Sequence, residues 1–312
     1  MRTLQALGVL ALLLLAVNGR KLSDKENRQR AVICGKKALS KLHNGVVIDS
    51  SEAPWTVAVA YGQKNSTFYQ SGMVISDRHV LTNMQAIMFD WNNPKSPRDS
   101  FKWRLSGNLA NVGAWCNNRT FAVAGNVTRR MGVVVCAGKG TEDCLKTTNP
   151  RLPVKRTMYL GNCNESKIAY GIVLLELAKP LDLKVVAPVC VPDGSITTIG
   201  ETLKAYGIGR GLAGISKKTP FSKVNTKNVT VQTCNDQGSH PDLSVCLSPG
   251  LCKMDNGGPV TKTVNGQEYA VASLTAYSCG YYVDVKINNN HVSVGEFSKE
   301  LCEEAGVCHV EK

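Results

Sequence analysis

The twelve cysteines of this 312-residue chain, which all follow an apolar leader, restrict its fold more than any other feature. The leader starts with Arg2, continues as an apolar run over residues 6–17, and ends in Val17-Asn18-Gly19, which is typical of a cleavage site. We therefore predict a signal peptide over residues 1–19 and a secreted, extracellular protein. An even number of cysteines in a secreted chain indicates a fold held by disulfides, because that environment is oxidising.

The chain is predicted to contain no membrane span. The apolar run of the leader is too short to cross a bilayer comfortably, and no later segment reaches about 20 apolar residues. A signal anchor is the alternative for the leader. Five sequons support an extracellular glycoprotein, and they begin at Asn65, Asn118, Asn126, Asn164 and Asn228.

Positive charge is concentrated directly after the leader. The whole chain has a formal net charge of +13, and residues 20–41 hold eight basic residues against Asp24 and Glu26. Such a segment is attracted to acidic glycans, anionic surfaces or acidic proteins; the alternative is a solvated, flexible pro-segment. We expect no nucleic-acid partner for a secreted glycoprotein.

Short strands dominate the rest of the chain. Segments such as Thr56–Ala60 and Met73–Ser76 are bounded by Gly, Asn, Ser and Pro, which is typical of all-β folds. The length is sufficient for one large β domain or two barrels with a substantial core.

A helix is predicted near the C-terminus, over residues 293–305. Ser293-Val294-Gly295-Glu296 has the form of a capping box. Phe297 and Leu301 fall on one helical face, and Gly306 can end the helix.

The segment Cys252-Lys253-Met254-Asp255-Asn256-Gly257-Gly258-Pro259 is the most specific motif of the chain. It resembles the Cys-x-Gly-Asp-Ser-Gly-Gly-Pro segment that holds the nucleophile of trypsin/chymotrypsin-family serine proteases. The serine position is Asn256, whose amide has no O–H that a base could activate. The oxyanion-hole glycine, two residues earlier, is replaced by Met254, which lacks the backbone freedom of glycine.

Two further segments extend the resemblance to the rest of the triad. Residues 54–59 resemble the entry strand Pro-Trp-x-Val, and residues 71–86 resemble the segment that ends in Thr-Ala-Ala-His-Cys. The general base falls on Gln85. Gly171-Ile172-Val173-Leu174-Leu175 resembles Asp-Ile-Ala-Leu-Leu, so the orienting aspartate falls on Gly171. The resemblance therefore implies a degenerate triad at Gln85, Gly171 and Asn256.

Other ionisable residues near these positions do not restore the triad. His79 lies six residues before Gln85, and we assign it a structural or exposed role. Glu176 lies five residues beyond Gly171, and we interpret it as solvent-facing or locally paired. The five histidines are scattered without metal-ligand spacing, and no phosphate-binding or dinucleotide motif is present, so we expect no cofactor.

The resemblance implies an all-β, chymotrypsin-like fold with two antiparallel six-stranded β-barrels and a C-terminal helix. It divides the chain into a signal peptide (1–19), a basic pro-segment (20–41) and a trypsin-like homology domain (42–312). The first barrel would span residues 42–181 and the second residues 193–290. The leader, Cys34-Gly35 and the ending Cys302…Gly306-Val307-Cys308 resemble the branch of this family that is expanded in nematodes.

A cysteine-rich insertion is predicted over about residues 92–165. The interval from Gln85 to Gly171 is 86 residues, roughly 40 more than the family's usual spacing. Insertions of this length lie on the surface and often carry function. This one is the preferred place for a new binding function; the alternative is a disulfide-stapled decoration.

The family's activation switch has a partial counterpart. Cleavage after Lys41 would free the ammonium of Leu42, and in the family this group pairs with the acid just before the serine, here Asp255. The alternative is that Asp255 is simply hydrogen-bonded and that the site is never cut.

The resemblance also implies disulfides and a changed specificity pocket. It pairs Cys34 with Cys190, Cys234 with Cys246 and Cys252 with Cys279, and it places Gln70 and Ala86 where the family has a further bridge. Partners stay open for Cys116, Cys136, Cys144, Cys163, Cys302 and Cys308. The base of the pocket falls on Gly250, so the acid that binds Lys or Arg is absent, and Thr275 replaces a glycine of the pocket wall.

These observations predict a catalytically inactive serine protease homologue that acts through a protein partner, such as a protease, an inhibitor or a host protein. One alternative is a divergent active hydrolase that uses Ser248 or Ser273. Another is a glycan-binding protein that uses its basic surface.

Overall fold

The computed structural model describes eleven segments of the chain. They are residues 20–36, 53–63, 66–83, 120–123, 134–136, 151–164, 167–208, 224–234, 243–248, 255–275 and 290–310.

Six strands of the N-terminal half close into a barrel, and a seventh is added at its edge. All neighbours pair antiparallel, in the ring β1-β2-β3-β7-β6-β5, and β4 pairs with β6 outside the ring. The strands are β1 Thr56–Gln63, β2 Ser66–Val74, β3 His79–Asn83, β4 Thr120–Val123, β5 Val134–Cys136, β6 Arg151–Asn164 and β7 Lys167–Leu177.

Six strands of the C-terminal half form a second closed barrel, in the order β10-β13-β12-β11-β8-β9. Its tightest hairpin, between β11 and β12, turns at Asn265 and Gly266, which both have positive φ as a type I′ turn requires. The strands are β8 Thr202–Gly207, β9 Asn225–Gln232, β10 Ser244–Ser248, β11 Pro259–Val264, β12 Gln267–Ser273 and β13 Asn290–Ser293. The two barrels confirm the predicted fold class.

A shared hydrophobic core joins the barrels to the C-terminal helix. Trp55 of the first half packs edge-to-face on Tyr206 of β8, with ring centroids 6.0 Å apart. Phe297 and Leu301 from the C-terminal helix lie in the same buried cluster. Aromatic pairs in this geometry contribute beyond the area that they bury, so this contact helps to fix one barrel on the other.

The C-terminal helix is shorter than predicted. A 3₁₀ turn covers Gly295–Phe297, and the helix α2 covers Ser298–Ala305. The capping-box prediction is wrong: Ser293 is the last residue of β13, and the helix has no side-chain cap. Pairing of Ser293 with Ala272 in the sheet takes this residue away from the helix. Gly306 ends the helix in the left-handed conformation, with a φ of 69°.

The basic segment after the leader is folded over residues 20–36, which we call the N-terminal strap. It contains helix α1, Asp24–Ile33, capped by a reciprocal Ser23–Glu26 capping box. The interpretation of this segment as solvated and flexible is wrong for these residues, because the strap packs on the rest of the protein. The Leu22 N–H donates to the carbonyl of Ala305 at 2.9 Å, and Cys34 forms a disulfide with Cys190. The Ser-x-x-Glu pattern was present in the sequence as a signal for this helix.

Part of the predicted insertion belongs to the first barrel. Strands β5 and β6 fall within residues 92–165, and both are members of the closed ring. The addition to the barrel is therefore narrower than that range, and β4 is its described strand. A further disulfide joins Cys234 to Cys246, as the resemblance implied. Another joins Cys302 to Cys308, whose partners the sequence had left open.

A candidate site at the junction of the barrels

Asn256 lies in a buried turn that leads into β11 and contacts the first barrel. Asn256 as a whole is only 2% exposed, and the neighbouring Asp255 is fully buried. The carbonyl of Asn256 accepts a hydrogen bond from the Ser71 N–H at 2.8 Å, and Gly258 closes the turn by donating to Asp255 O at 2.8 Å. The Asp255 side chain lies directly against Gly207 of β8, where a Cβ would collide with Oδ1.

Gly257 is the residue that lets this turn approach the first barrel. Its φ is +80°, and a Cβ there would collide with Ser71 O and Thr82 Oγ1 and would lie 2.7 Å from the Asn83 nitrogen. The Gly257 N–H donates to Leu274 O at 2.8 Å. Only glycine fits both the conformation and the space at residue 257, so Gly257 has a structural reason independent of catalysis.

The space beside Gly171 is filled by Tyr159. Gly171 pairs with Gly161 across β7 and β6. A Cβ at residue 171 would lie 2.5 Å from the Tyr159 hydroxyl and 2.6 Å from the Leu160 carbonyl. Burial raises the pKa of Tyr159 above its ordinary value, so the phenol stays neutral. Nothing in the sequence pattern indicated this tyrosine.

Gln70 links β2 to the end of β3 through its side-chain amide. The buried Nε2 donates to Thr82 Oγ1 at 2.6 Å and to the Asn83 carbonyl at 2.9 Å. Thr82 Oγ1 in turn donates to the Ser71 carbonyl at 2.7 Å. At the position where the resemblance implies a lost cysteine, hydrogen bonds therefore hold the two strands together.

Both buried histidines of the described residues have structural partners. Ser76 Oγ accepts the backbone N–H groups of Arg78 and His79, and it is hydrogen-bonded to Nδ1 of the His79 ring at 2.8 Å. Burial, followed by the charges of Arg156 and Arg78, lowers the pKa of His79 to about 4. His291 accepts the Thr275 N–H at Nδ1 (3.0 Å), and burial lowers its pKa to about 3. Both rings are neutral at pH 7.

Glu176 is buried and paired, so the solvent-facing interpretation is wrong and the locally paired one holds. Oε2 lies 3.6 Å from Nε of Arg156, its register neighbour in β6. Oε1 accepts the backbone N–H of Arg20 at 3.0 Å. The sequence contained no signal for this contact, which joins residues 156 positions apart.

The expected wall of the specificity pocket is described as far as Thr275. Ser273 is fully buried at the end of β12, and Thr275 Oγ1 donates to the Asn290 carbonyl at 2.6 Å, which ties this side chain to β13.

The sequon residue Asn228 is exposed on β9, whereas the side chain of Asn164 is not described. Several predicted positions lie outside the described residues, namely Lys41, Leu42, Asn65, Gln85, Ala86, Asn118, Asn126, Gly250, Cys252, Met254 and Cys279.

Among the described residues, no group of three or more His, Cys, Asp or Glu side chains is arranged to hold a metal ion. No described helix has the length and apolar character to cross a membrane.

Two closed six-stranded antiparallel barrels with a C-terminal helix, joined at a Gly-Gly-Pro turn, define a chymotrypsin-like serine protease fold. The chain belongs to the nematode trypsin-6-like family, whose sequence profile matches residues 6–308. This confirms the expected family and branch.

Solved structures share the fold at low sequence identity. A structure described as "Structure of GrC" is 14% identical, with a TM-score of 0.54, over 80% of this chain and 93% of that one. The scabies mite inactivated protease paralogue S-I1 is 16% identical, with a TM-score of 0.53, over 82% of this chain and 96% of that one. A comparison with curated protein sequences finds no match.

Proposed function

We propose that this protein is a secreted, catalytically inactive serine protease homologue that acts by binding another protein. The observation that carries the proposal is Asn256 in the Asp-x-Gly-Gly-Pro turn, where the fold's nucleophile is expected. An amide cannot form the acyl intermediate through a deprotonated oxygen. The backbone carbonyl of Asn256 accepts a hydrogen bond from Ser71, so the turn is held against the first barrel although the Asn256 side chain cannot act as a nucleophile.

The surroundings of Gly171 support the same proposal. An orienting carboxylate at this position would need the space that Tyr159 occupies. The two buried histidines of the described residues are also engaged elsewhere, His79 with Ser76 and His291 with the Thr275 N–H. A triad needs a base whose ring is free to bond the nucleophile and an acid behind it, and these residues do not supply the pair.

A structural neighbour offers a precedent for this type of protein. The mite protein with the same fold is described as an inactivated protease paralogue. In our proposal the present chain likewise keeps the protease scaffold, and its partner is a protease, a protease inhibitor or a host protein. Surface additions to the first barrel, such as the β4 region, are the proposed contact surface, because added loops on a rigid scaffold commonly carry new binding.

The divergent hydrolase is the weaker alternative. Ser273 Oγ is buried and has no hydrogen-bond partner in the described part of the chain, so no base activates it there. Ser248 is half-buried on β10, in register with Thr230.

Glycan binding has one specific observation in its favour. Helix α1 presents Lys25 and Arg28 as exposed residues on a fixed element, with Lys21 just before it. Salt-sensitive retention on a sulfated-glycan resin would support this function, and absence of retention at low salt would exclude it.

The proposal is tested with a fluorophosphonate probe, which labels activated serines. The purified secreted protein is treated before and after cleavage at Lys41, beside active trypsin as the positive control. We expect no labelling in either form, together with capture of a protease, inhibitor or host protein in a quantitative binding assay. Stoichiometric labelling at a mapped serine would contradict the proposal.

A further inference from the structure

The N-terminal strap starts at Arg20, whose backbone contacts Glu176 and His79 of the first barrel. The N–H donates to Oε1 of Glu176 at 3.0 Å. The His79 ring is also hydrogen-bonded to the backbone of Arg20. His79 and Glu176 are register partners in β3 and β7. The start of the strap is therefore seated on two adjacent strands.

The buried carboxylate of Glu176 lacks a hydrogen-bonded cation in the described structure. Its side chain is 5% exposed, and the Arg20 N–H is the one hydrogen bond that it accepts from the described residues. Nε of Arg156 is 3.6 Å away and Nζ of Lys155 is 3.8 Å away, both beyond ordinary hydrogen-bond distance. A buried carboxylate is costly unless it is both paired and hydrogen-bonded. Glu176 is paired with these two cations and hydrogen-bonded to a neutral amide, but no single described group does both. A charged donor at the Arg20 nitrogen would do both.

Arg156 is directed towards a different carboxylate. Its Nη2 lies 2.8 Å from Glu304 on α2, the shorter of its two ion pairs. The Arg20 side chain also points elsewhere, to Glu26 at 2.6 Å. Neither guanidinium group is therefore hydrogen-bonded to Glu176, which accepts its hydrogen bond from the Arg20 backbone N–H.

We propose that the Gly19–Arg20 peptide bond is hydrolysed during secretion and that the α-ammonium group of Arg20 then binds Glu176. Hydrolysis consumes one water and yields the Gly19 carboxylate and the Arg20 –NH₃⁺. The co-reactant is a peptidase of the secretory pathway that removes leaders. The new ammonium occupies the place of the present amide N–H, so a neutral hydrogen bond becomes a charge-assisted ion pair.

This ion pair would fix the first residue of an element that contacts both barrels and the C-terminal helix. The strap contacts the C-terminal helix through Leu22 and Ala305, and it contacts the second barrel where Gln267 Nε2 donates to the Cys34 carbonyl at 2.9 Å. Glu176 supplies the anchor on the first barrel. The inference does not depend on the proposed function, because it concerns a site remote in sequence from Asn256.

The test compares two chains that differ by one glycine. One begins at Arg20, made from a fusion that leaves no additional residue, and the other keeps Gly19, which replaces the ammonium by an amide N–H. We expect the chain beginning at Arg20 to melt about 2–4 °C higher. The difference should vanish in Glu176→Gln, which still accepts the N–H but has no charge.

Glu304→Gln is the matched control. It removes a carboxylate that binds the same Arg156 but does not contact Arg20, so the effect of the extra glycine should persist in this variant. Equal melting temperatures for the two wild-type chains, or a difference that survives in Glu176→Gln, would overturn the ion pair.

Two measurements keep the proposal testable if Glu176→Gln does not fold. N-terminal sequencing of the protein secreted from a eukaryotic host should begin at Arg20, and another first residue would overturn the cleavage. The α-amine of the folded chain should react with an acylating reagent about tenfold more slowly than that of the unfolded chain, because pairing keeps it protonated. Equal rates would overturn its binding to Glu176.

Discussion

The hydroxyl oxygen of Tyr159 lies 2.5 Å from the position that a Cβ atom of residue 171 would occupy. Tyr159 is fully buried in the first barrel, and the Leu160 carbonyl blocks the same space at 2.6 Å. An aspartate at residue 171 would therefore overlap a ring and a strand backbone and would also bury a charge. The orienting acid of a triad cannot be restored here without repacking the barrel.

Gly171→Asp should destabilise the protein by at least about 2 kcal/mol, since overpacking and a buried carboxylate act together. Urea unfolding under oxidising conditions would measure the loss. In a Tyr159→Ala background, Gly171→Asp should cost less free energy of unfolding than it does in the wild-type protein, because the ring that causes the overlap is absent. A Gly171→Asp variant as stable as wild type would contradict this packing.

Asn256→Ser alone should have no measurable peptidase activity. The substitution supplies a hydroxyl, but Gly171 provides no carboxylate and the proposed base position holds Gln85. A fluorophosphonate probe and a panel of peptide substrates would check this, with Asn256→Ala as the control for background hydrolysis. Labelling of residue 256 in the serine variant but not in the alanine variant would show that a base reaches this site.

Gln70→Met should cost about 1–3 kcal/mol, although the two side chains are similar in size. The buried Thr82 Oγ1 and Asn83 carbonyl would lose the Nε2 donor that now bonds both. Thr82→Ser, which keeps the hydroxyl, is the matched control and should cost less. If Gln70→Met leaves the unfolding midpoint unchanged, these hydrogen bonds do not hold β2 to β3.

Stability should fall as the pH drops below about 6.5, in part because of His291. Its pKa is about 3 in the folded protein against 6.5 ordinarily, so the unfolded chain binds a proton that the folded chain does not bind between these values. At pH 5 this difference amounts to about 2 kcal/mol. His291→Asn keeps an acceptor for the Thr275 N–H but does not titrate.

Urea midpoints at pH 7 and pH 5 would test this linkage. His79, with a pKa of about 4, contributes in the same direction and remains in both proteins, so the comparison isolates His291. The variant should lose less stability than wild type over this interval. An identical loss in the two proteins would mean that His291 is not buried in its neutral form.

Local patterns in the sequence predicted the features that depend on neighbouring residues. The strand after Trp55 and the helix stop at Gly306 follow from residue types at short spacing, whereas the Gly257-Gly258 segment and the strand around Leu174 were expected from the family resemblance. The capping box at Ser293 was predicted wrongly because the same residue pairs in a strand with Ala272. That competition between a helix cap and a sheet is decided by a partner 21 residues away, which a local pattern does not contain.

The sequence by itself determined the chemical identities at this site: an amide at residue 256, no side chain at residue 171, and a basic segment after a leader. Only the tertiary structure decided which groups meet them. Strand register places Tyr159 over Gly171, and packing of the strap brings the nitrogen of Arg20 to Glu176. Residue types are written in the chain, whereas contacts between distant residues depend on how closed barrels align their strands.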